Sequence, residues 1–315
     1  MNNVIEKNRR FYEQYVAEMI RSEFPGCEDR IAVGIAGEGS DCFGYDDEIS
    51  RDHDFGTGVC LWLTDEDMAR FGNLLSIAYN RLVDSAERAF FTERLRERRG
   101  VMTVSGFYSS VLNADIDAQN PILSEEQWLR LDHSCLKTAV NGEVFRDDPG
   151  VFTAFRRYLL GYYPERVWRI RIAEQLHEYA SAFQVNYSRC MTRGDTVAAE
   201  LCRARGISSA MELFFLLRRE YPPYYKWTFR ALGELDGEGI VSSKLSELSR
   251  ERIRTEAWEG TRYHPNRLNY KDRIVSLSEE IACELENMLI KAGLSRARGR
   301  YLESHVEAVL NGASK

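Results

Sequence analysis

Apolar residues along this chain change their spacing twice, and each change marks a structural transition. From about Val4 to Phe24, Phe11, Tyr15 and Met19 recur at every fourth position, with Tyr12, Val16 and Ile20 beside them. That spacing predicts an amphipathic helix, closed by Pro25-Gly26. The run from Arg30 to Ala36 is short, apolar and partly β-branched, and reads as a buried strand. It opens into a turn of small residues, Gly37-Glu38-Gly39-Ser40. A second strand is predicted from Asp52 to about Leu63, with Gly56 and Gly58 as places where it can kink or bulge. Thr64, followed by Asp65, Glu66 and Asp67, has the form of an N-cap with acids in the first turn, so a helix should run from there into the 80s. Val101 to Val104 reads as a third strand and residues 124–140 as helical. Gly142 to Phe145 reads as a short strand or turn.

After Pro149-Gly150 the period becomes helical throughout. Val167, Trp168, Ile172, Leu176, Tyr179 and Phe183 mark one helix, and a second covers about 195–219 before Pro222-Pro223. Ile274, Leu277, Ile281, Leu285 and Met288 mark another, and Leu302, Val306 and Val309 the last. Strands in the first half and helices in the second predict an α+β domain over 1–150 followed by a helical bundle over 151–315.

Composition agrees with two soluble domains: 315 residues, 44% apolar and 29% charged. No stretch nears the roughly 18–20 apolar residues of a membrane span. The first residues, MNNVIEKNRRFYEQY, lack the apolar core of a secretory signal. Seven scattered cysteines form no CxxC pair, which argues for a reducing, cytoplasmic setting and against a zinc site. Residues 1–150 hold 28 acidic and 16 basic side chains, and residues 151–315 hold 21 and 26. The acidic total and the absence of a basic stripe argue against a long nucleic acid as partner.

The chemistry concentrates between Gly37 and Asp54. Seventeen residues from Glu38 to Asp54 carry seven acids and one base, Arg51. In a strand Asp52 and Asp54 share a face and His53 takes the other. Two carboxylates so placed suit a hard cation such as Mg²⁺, which also keeps phosphate oxygens in its shell. Gly39 lets backbone N–H groups approach a phosphate, and Ser40 adds a hydroxyl. The rival motifs fit poorly. Asp54-Phe55-Gly56 has no kinase catalytic loop before it, the glycine spacing is not that of a dinucleotide fold, and the EF-hand ligand spacing fails.

A strand, Gly39-Ser40, eleven residues and then Asp52-His53-Asp54 resemble the nucleotidyltransferase superfamily with the polymerase-beta-like fold. The run Asp41 to Gly56 is similar to a bacterial family of that superfamily known only by its domain. The helical half looks like the C-terminal domain of antibiotic nucleotidyltransferases. The resemblance implies Mg²⁺ on Asp52 and Asp54 and the phosphates of ATP or another nucleoside triphosphate on Gly39 and Ser40. It also implies transfer of a nucleoside monophosphate to a hydroxyl of a small molecule or protein. The alternative is a non-catalytic nucleotide-binding module of the same fold. Superfamily members often send a cation from the helical domain to the triphosphate, and Lys226 is the candidate. A third carboxylate usually completes their set, and here Asp115, Asp117 and Glu143 are candidates.

Overall fold

The computed structural model describes residues 4–45, 57–85, 98–265 and 267–312. Two compact units divide between Tyr162 and Tyr163. The first holds a mixed sheet of β1 (Ala32–Ile35), β2 (Cys60–Leu63), β3 (Gly100–Thr103) and β4 (Glu143–Arg146), in the order β3-β2-β1-β4. β1 runs antiparallel to both β2 and β4, and β2 runs parallel to β3.

The register sorts the side chains between two faces. Val33 lies opposite Leu61, and Leu61 opposite Val101, so these point to one side. There they meet the helical run Val4–Phe11, Tyr12–Val16 and Ala17–Glu23, whose middle turn is π-helical. The run Asp65–Asp67, Met68–Gly72 and Asn73–Ser85 packs on the same core, through Leu75, Ala78, Tyr79 and Val83. Thr64 caps it by accepting the Asp67 N–H, as its sequence predicts.

On the opposite face Trp62 stacks on Phe152 at 3.7 Å and meets the edge of Phe107 at 5.5 Å. Gly34 makes room for that indole. A Cβ on Gly34 would stand 2.9 Å from the Trp62 ring and 2.5 Å from the Glu143 carbonyl oxygen. Helices Val104–Leu112 and Val151–Leu160 supply the aromatic cover, with Tyr108 and Phe155 at 4.4 Å.

That cover explains why Pro149-Gly150 is not where the units part. Gly150, at φ 74°, only turns the chain into Val151–Leu160, whose Phe152, Phe155 and Leu159 are buried. Three apolar side chains on one helix bind it to the sheet it covers, and the division comes after it. Residues 124–140 are helical, as expected, in two pieces. They form Glu125–Arg130 and His133–Ala139, because Asp132 caps the second by accepting from Ser134 and Cys135 N–H. Thr57 to Val59 are not strand, and the earlier part of the strand expected from Asp52 lies outside the described residues.

The described residues of the second unit form helices without a strand. Glu165–Tyr179 continues through the π-helical Ala180–Tyr187 into Ser188–Thr192, and Thr196–Arg218, Tyr225–Leu235, Ile240–Arg250, Arg273–Lys291 and Val306–Asn311 follow. The predicted apolar stripe from Val167 to Phe183 is buried throughout. No helix among the described residues is long and apolar enough to cross a membrane.

Candidate functional site

All four strands contribute to one end of the sheet. β1 leaves there at Ile35, and β2, β3 and β4 begin there, since Cys60 pairs with Gly34, Gly100 with Cys60 and Glu143 with Ile35. The glycine-rich loop after β1 therefore shares this end with the residues just ahead of the other strands. These are Thr57 to Val59, Arg98-Arg99 and Asn141-Gly142.

Several of them brace the loop beside them. Asn141 holds Gly37 at two points: its Oδ1 accepts the Gly37 N–H at 2.9 Å and its Nδ2 donates to the Gly37 carbonyl at 2.7 Å. Gly142 donates its N–H to the Cys42 carbonyl at 2.9 Å. With φ at 66°, and with the Ile35 carbonyl oxygen 1.9 Å from where a Cβ would stand, position 142 admits only glycine. Asn8, buried in the first helix, accepts the Gly58 N–H at 2.7 Å and pins the entry to β2.

Beneath the loop lies Arg99, whose side chain is 1% exposed. It donates to Asp41 Oδ2 at 3.0 Å and to the carbonyls of Ala36 and Arg98. Burial pushes the Cys42 and Cys60 thiols up, so both are neutral and Asp41 is the anion that Arg99 meets. Burial works against the Arg99 charge, and the Asp41 carboxylate beside it opposes that. Arg98 pairs with Glu38 at 3.0 Å. Two of the seven acids between residues 38 and 54 are thus neutralised by arginines of the chain.

The loop itself turns through Gly37 at φ 104° and Gly39 at φ 120°, then winds one 3-10 turn over Asp41–Phe43 and closes at Gly44. The Ser40 carbonyl accepts from Phe43 and Tyr45 N–H. The Ser40 side chain makes no capping bond to that turn. Among the described residues, no acceptor faces the N–H of Gly39 or Ser40. Backbone N–H groups raised in this way suit an anion's oxygens.

The other predicted residues are placed as follows. Asp52 and Asp54 lie outside the described residues, and Thr57, at the shared end of the sheet, follows Asp54 by three positions. As a donor set two carboxylates fit Mg²⁺. Among the described residues no group of three His, Cys, Asp or Glu could hold a metal. Glu143 heads β4, where its carboxylate pairs with Arg9. Asp115 and Asp117 are exposed beyond helix Val104–Leu112, and Asp117 accepts the Gln119 N–H. β3 itself carries no acid. Lys226 opens helix Tyr225–Leu235, is exposed, and sets its ammonium 5.5 Å from the Tyr224 ring centre.

Asn8, Arg99 and Asn141 escape a reading of the sequence. The one local hint is the Asn141-Gly142 pair, a turn signal that says nothing of what the amide holds. We expect Asn141→Leu to cost roughly 2–4 kcal/mol, because it strands two buried backbone groups. Urea unfolding of the variant beside Asn141→Asp, which keeps the acceptor for Gly37 N–H, measures this.

Residues 128–228 match the family model of a domain of unknown function (DUF4037). That span takes in Asn141 and Lys226 and stops short of the Gly39-Ser40 loop. No curated protein and no solved structure matches the chain.

Proposed function

We propose that this chain is a Mg²⁺-dependent nucleotidyltransferase that passes a nucleoside monophosphate from a nucleoside triphosphate to a hydroxyl of a small molecule or protein. The observation that carries the reading is the Gly37–Tyr45 loop. It leaves the end of a sheet strand and is braced by Asn141 and Arg99, and among the described residues no acceptor takes the N–H groups of Gly39 and Ser40.

In this reading Gly39 and Ser40 hold phosphate oxygens through backbone N–H and the Ser40 hydroxyl. Asp52 and Asp54 hold the cation, which when bound supplies charge neutralisation on the phosphates. Holding the triphosphate still aligns the α-phosphorus with the acceptor hydroxyl, and orientation alone lowers the barrier substantially.

A second reading, a non-catalytic nucleotide-binding module acting through protein partners, draws on the candidates for a third carboxylate. Glu143 is engaged by Arg9, and β3 offers none.

Nucleotide binding and turnover separate the two. Each nucleoside triphosphate with Mg²⁺ is added to the purified protein. The favoured one should stabilise it by about 2.7 kcal/mol at ~100 times its dissociation constant, seen as a rise in melting temperature. Pyrophosphate release with a cell extract, and a nucleotide adduct by mass spectrometry, establish transfer. Stabilisation without pyrophosphate or adduct favours the binding module, and no stabilisation by any of the four nucleotides removes both readings.

A further inference from the structure

A loop in the second unit is held in a way that a simple connection does not need. Ser295 to Tyr301 links helix Arg273–Lys291 to the last turns of the chain and carries arginine at 296, 298 and 300, with only Ala297 and Gly299 between. The three arginines are exposed, while buried groups grip the backbone beneath them.

His305 is fully buried, with Nε2 2.9 Å from the Gly299 carbonyl and Nδ1 2.9 Å from Ser295 Oγ. A carbonyl only accepts, so Nε2 carries a proton. Glu286 accepts the Gly299 N–H at 2.7 Å. Gln184 donates to the Arg300 carbonyl at 2.6 Å and accepts the Leu302 N–H at 2.9 Å. Glu279 accepts in turn from Gln184 at 2.8 Å. Burial pushes Glu279 up, while Gln184 and the charge of Arg300 hold it down.

Some surface arginines elsewhere in this unit sit in ion pairs, as Arg273 does with Glu247 and Glu280. Among the described residues no carboxylate lies within ion-pair distance of Arg296, Arg298 or Arg300, and Glu303 beside them is taken by His177. Aromatic surface adjoins the loop. Tyr301 is 48% exposed. Burial raises its phenol pKa, with Glu303 and Tyr263 adding to the rise and Arg189 opposing it, so these groups lie close by. The Arg189 guanidinium stands 5.2 Å from the Tyr263 ring centre.

We infer that the Arg296–Tyr301 loop, with Arg189 and Tyr263, binds an extended single-stranded polynucleotide. Guanidinium forks match phosphate oxygens, and tyrosine faces offer stacking to bases that are not already paired. A grip on the loop backbone keeps the three arginines presented without spending the order on binding. The acidic total of the chain, which argued against a long nucleic acid, averages over a first half with 28 acids to 16 bases. The half that carries this loop has 26 bases to 21 acids. The inference stands apart from nucleotidyl transfer, since no residue in it belongs to the first unit.

The test is fluorescence anisotropy of labelled single-stranded RNA and DNA oligonucleotides with the full chain, over a range of salt. Binding should weaken with salt, and R296Q/R298Q/R300Q should lower the slope of log affinity against log salt by about 2, at ~0.7 for each phosphate no longer neutralised. Tyr301→Leu should weaken binding about tenfold at an unchanged slope. Unchanged melting temperatures keep both variants informative, because these side chains are exposed. An unaltered slope in the triple variant overturns the inference. So does equal competition by polyglutamate, which would mark a surface that reads charge alone, or a preference for duplex over single strand.

Discussion

Asp52→Asn and Asp54→Asn are each expected to abolish Mg²⁺-dependent transfer, by at least about a hundredfold, since even partners that merely orient metal ligands cost 10–100-fold when removed. The same variants should melt at the wild-type temperature or slightly above it. The two effects share one cause. Two carboxylates two positions apart lie on one side of an extended chain, where they repel each other unless a cation sits between them. Arg98 and Arg99 neutralise Glu38 and Asp41 within the fold. Along the sequence, Asp46, Asp47, Glu48, Asp52 and Asp54 have Arg51 as the one base in their stretch. Asparagine keeps the size and removes a charge, so self-repulsion falls as metal binding is lost. His53→Gln should change turnover little. Pyrophosphate release and thermal melting of all three variants in one buffer decide it. Full activity in the Asp variants, or loss of activity only in His53→Gln, would falsify the assignment.

Arg99→Met should lower stability by about 3–5 kcal/mol, the usual consequence of removing one partner of a buried ion pair. The guanidinium is almost wholly enclosed and joins Asp41 to the carbonyls of Ala36 and Arg98. Methionine fills much of the space but leaves the Asp41 carboxylate, 14% exposed, without its counter-charge. Adding Asp41→Asn should restore part of the loss. Arg98→Met is the control. Its partner Glu38 is 65% exposed, so water screens the pair and the expected change is below about 1 kcal/mol. Urea unfolding of the four proteins measures the contrast. Equal losses at Arg98 and Arg99 would show that burial does not set the strength of the brace. Because Asp41 follows Ser40 directly, Arg99→Met should also weaken the stabilisation given by Mg²⁺ and a nucleoside triphosphate.

The parts of the fold open to a reading of the sequence are those that repeat over a few residues. The stripe from Val167 to Phe183 and the Thr64 cap were legible because a helix brings positions three and four apart onto one side. The strands at 32–35 and 100–103 were legible as short apolar or β-branched runs between turn residues, whereas 143–146 read equally as strand or turn. The glycine loop was legible as small residues following a strand. The break at Asp132 was harder to see, because a capping aspartate inside an apolar-periodic stretch resembles one more exposed helical position.

The sequence by itself determined that this chain has a strand-bearing first half and a helical second half. It also determined that glycine, serine and acids gather after the first strand, since local spacing and residue type carry that information. Only the tertiary structure decided what holds those residues. Asn141 reaches Gly37 across 104 positions and Arg99 reaches Asp41 across 58. The helix after Gly150 joined the first unit because Phe152 lies on Trp62. No local pattern encodes such pairs. Their partners meet only when the strands assemble, and one asparagine or arginine looks like any other until burial leaves it a single set of groups to satisfy.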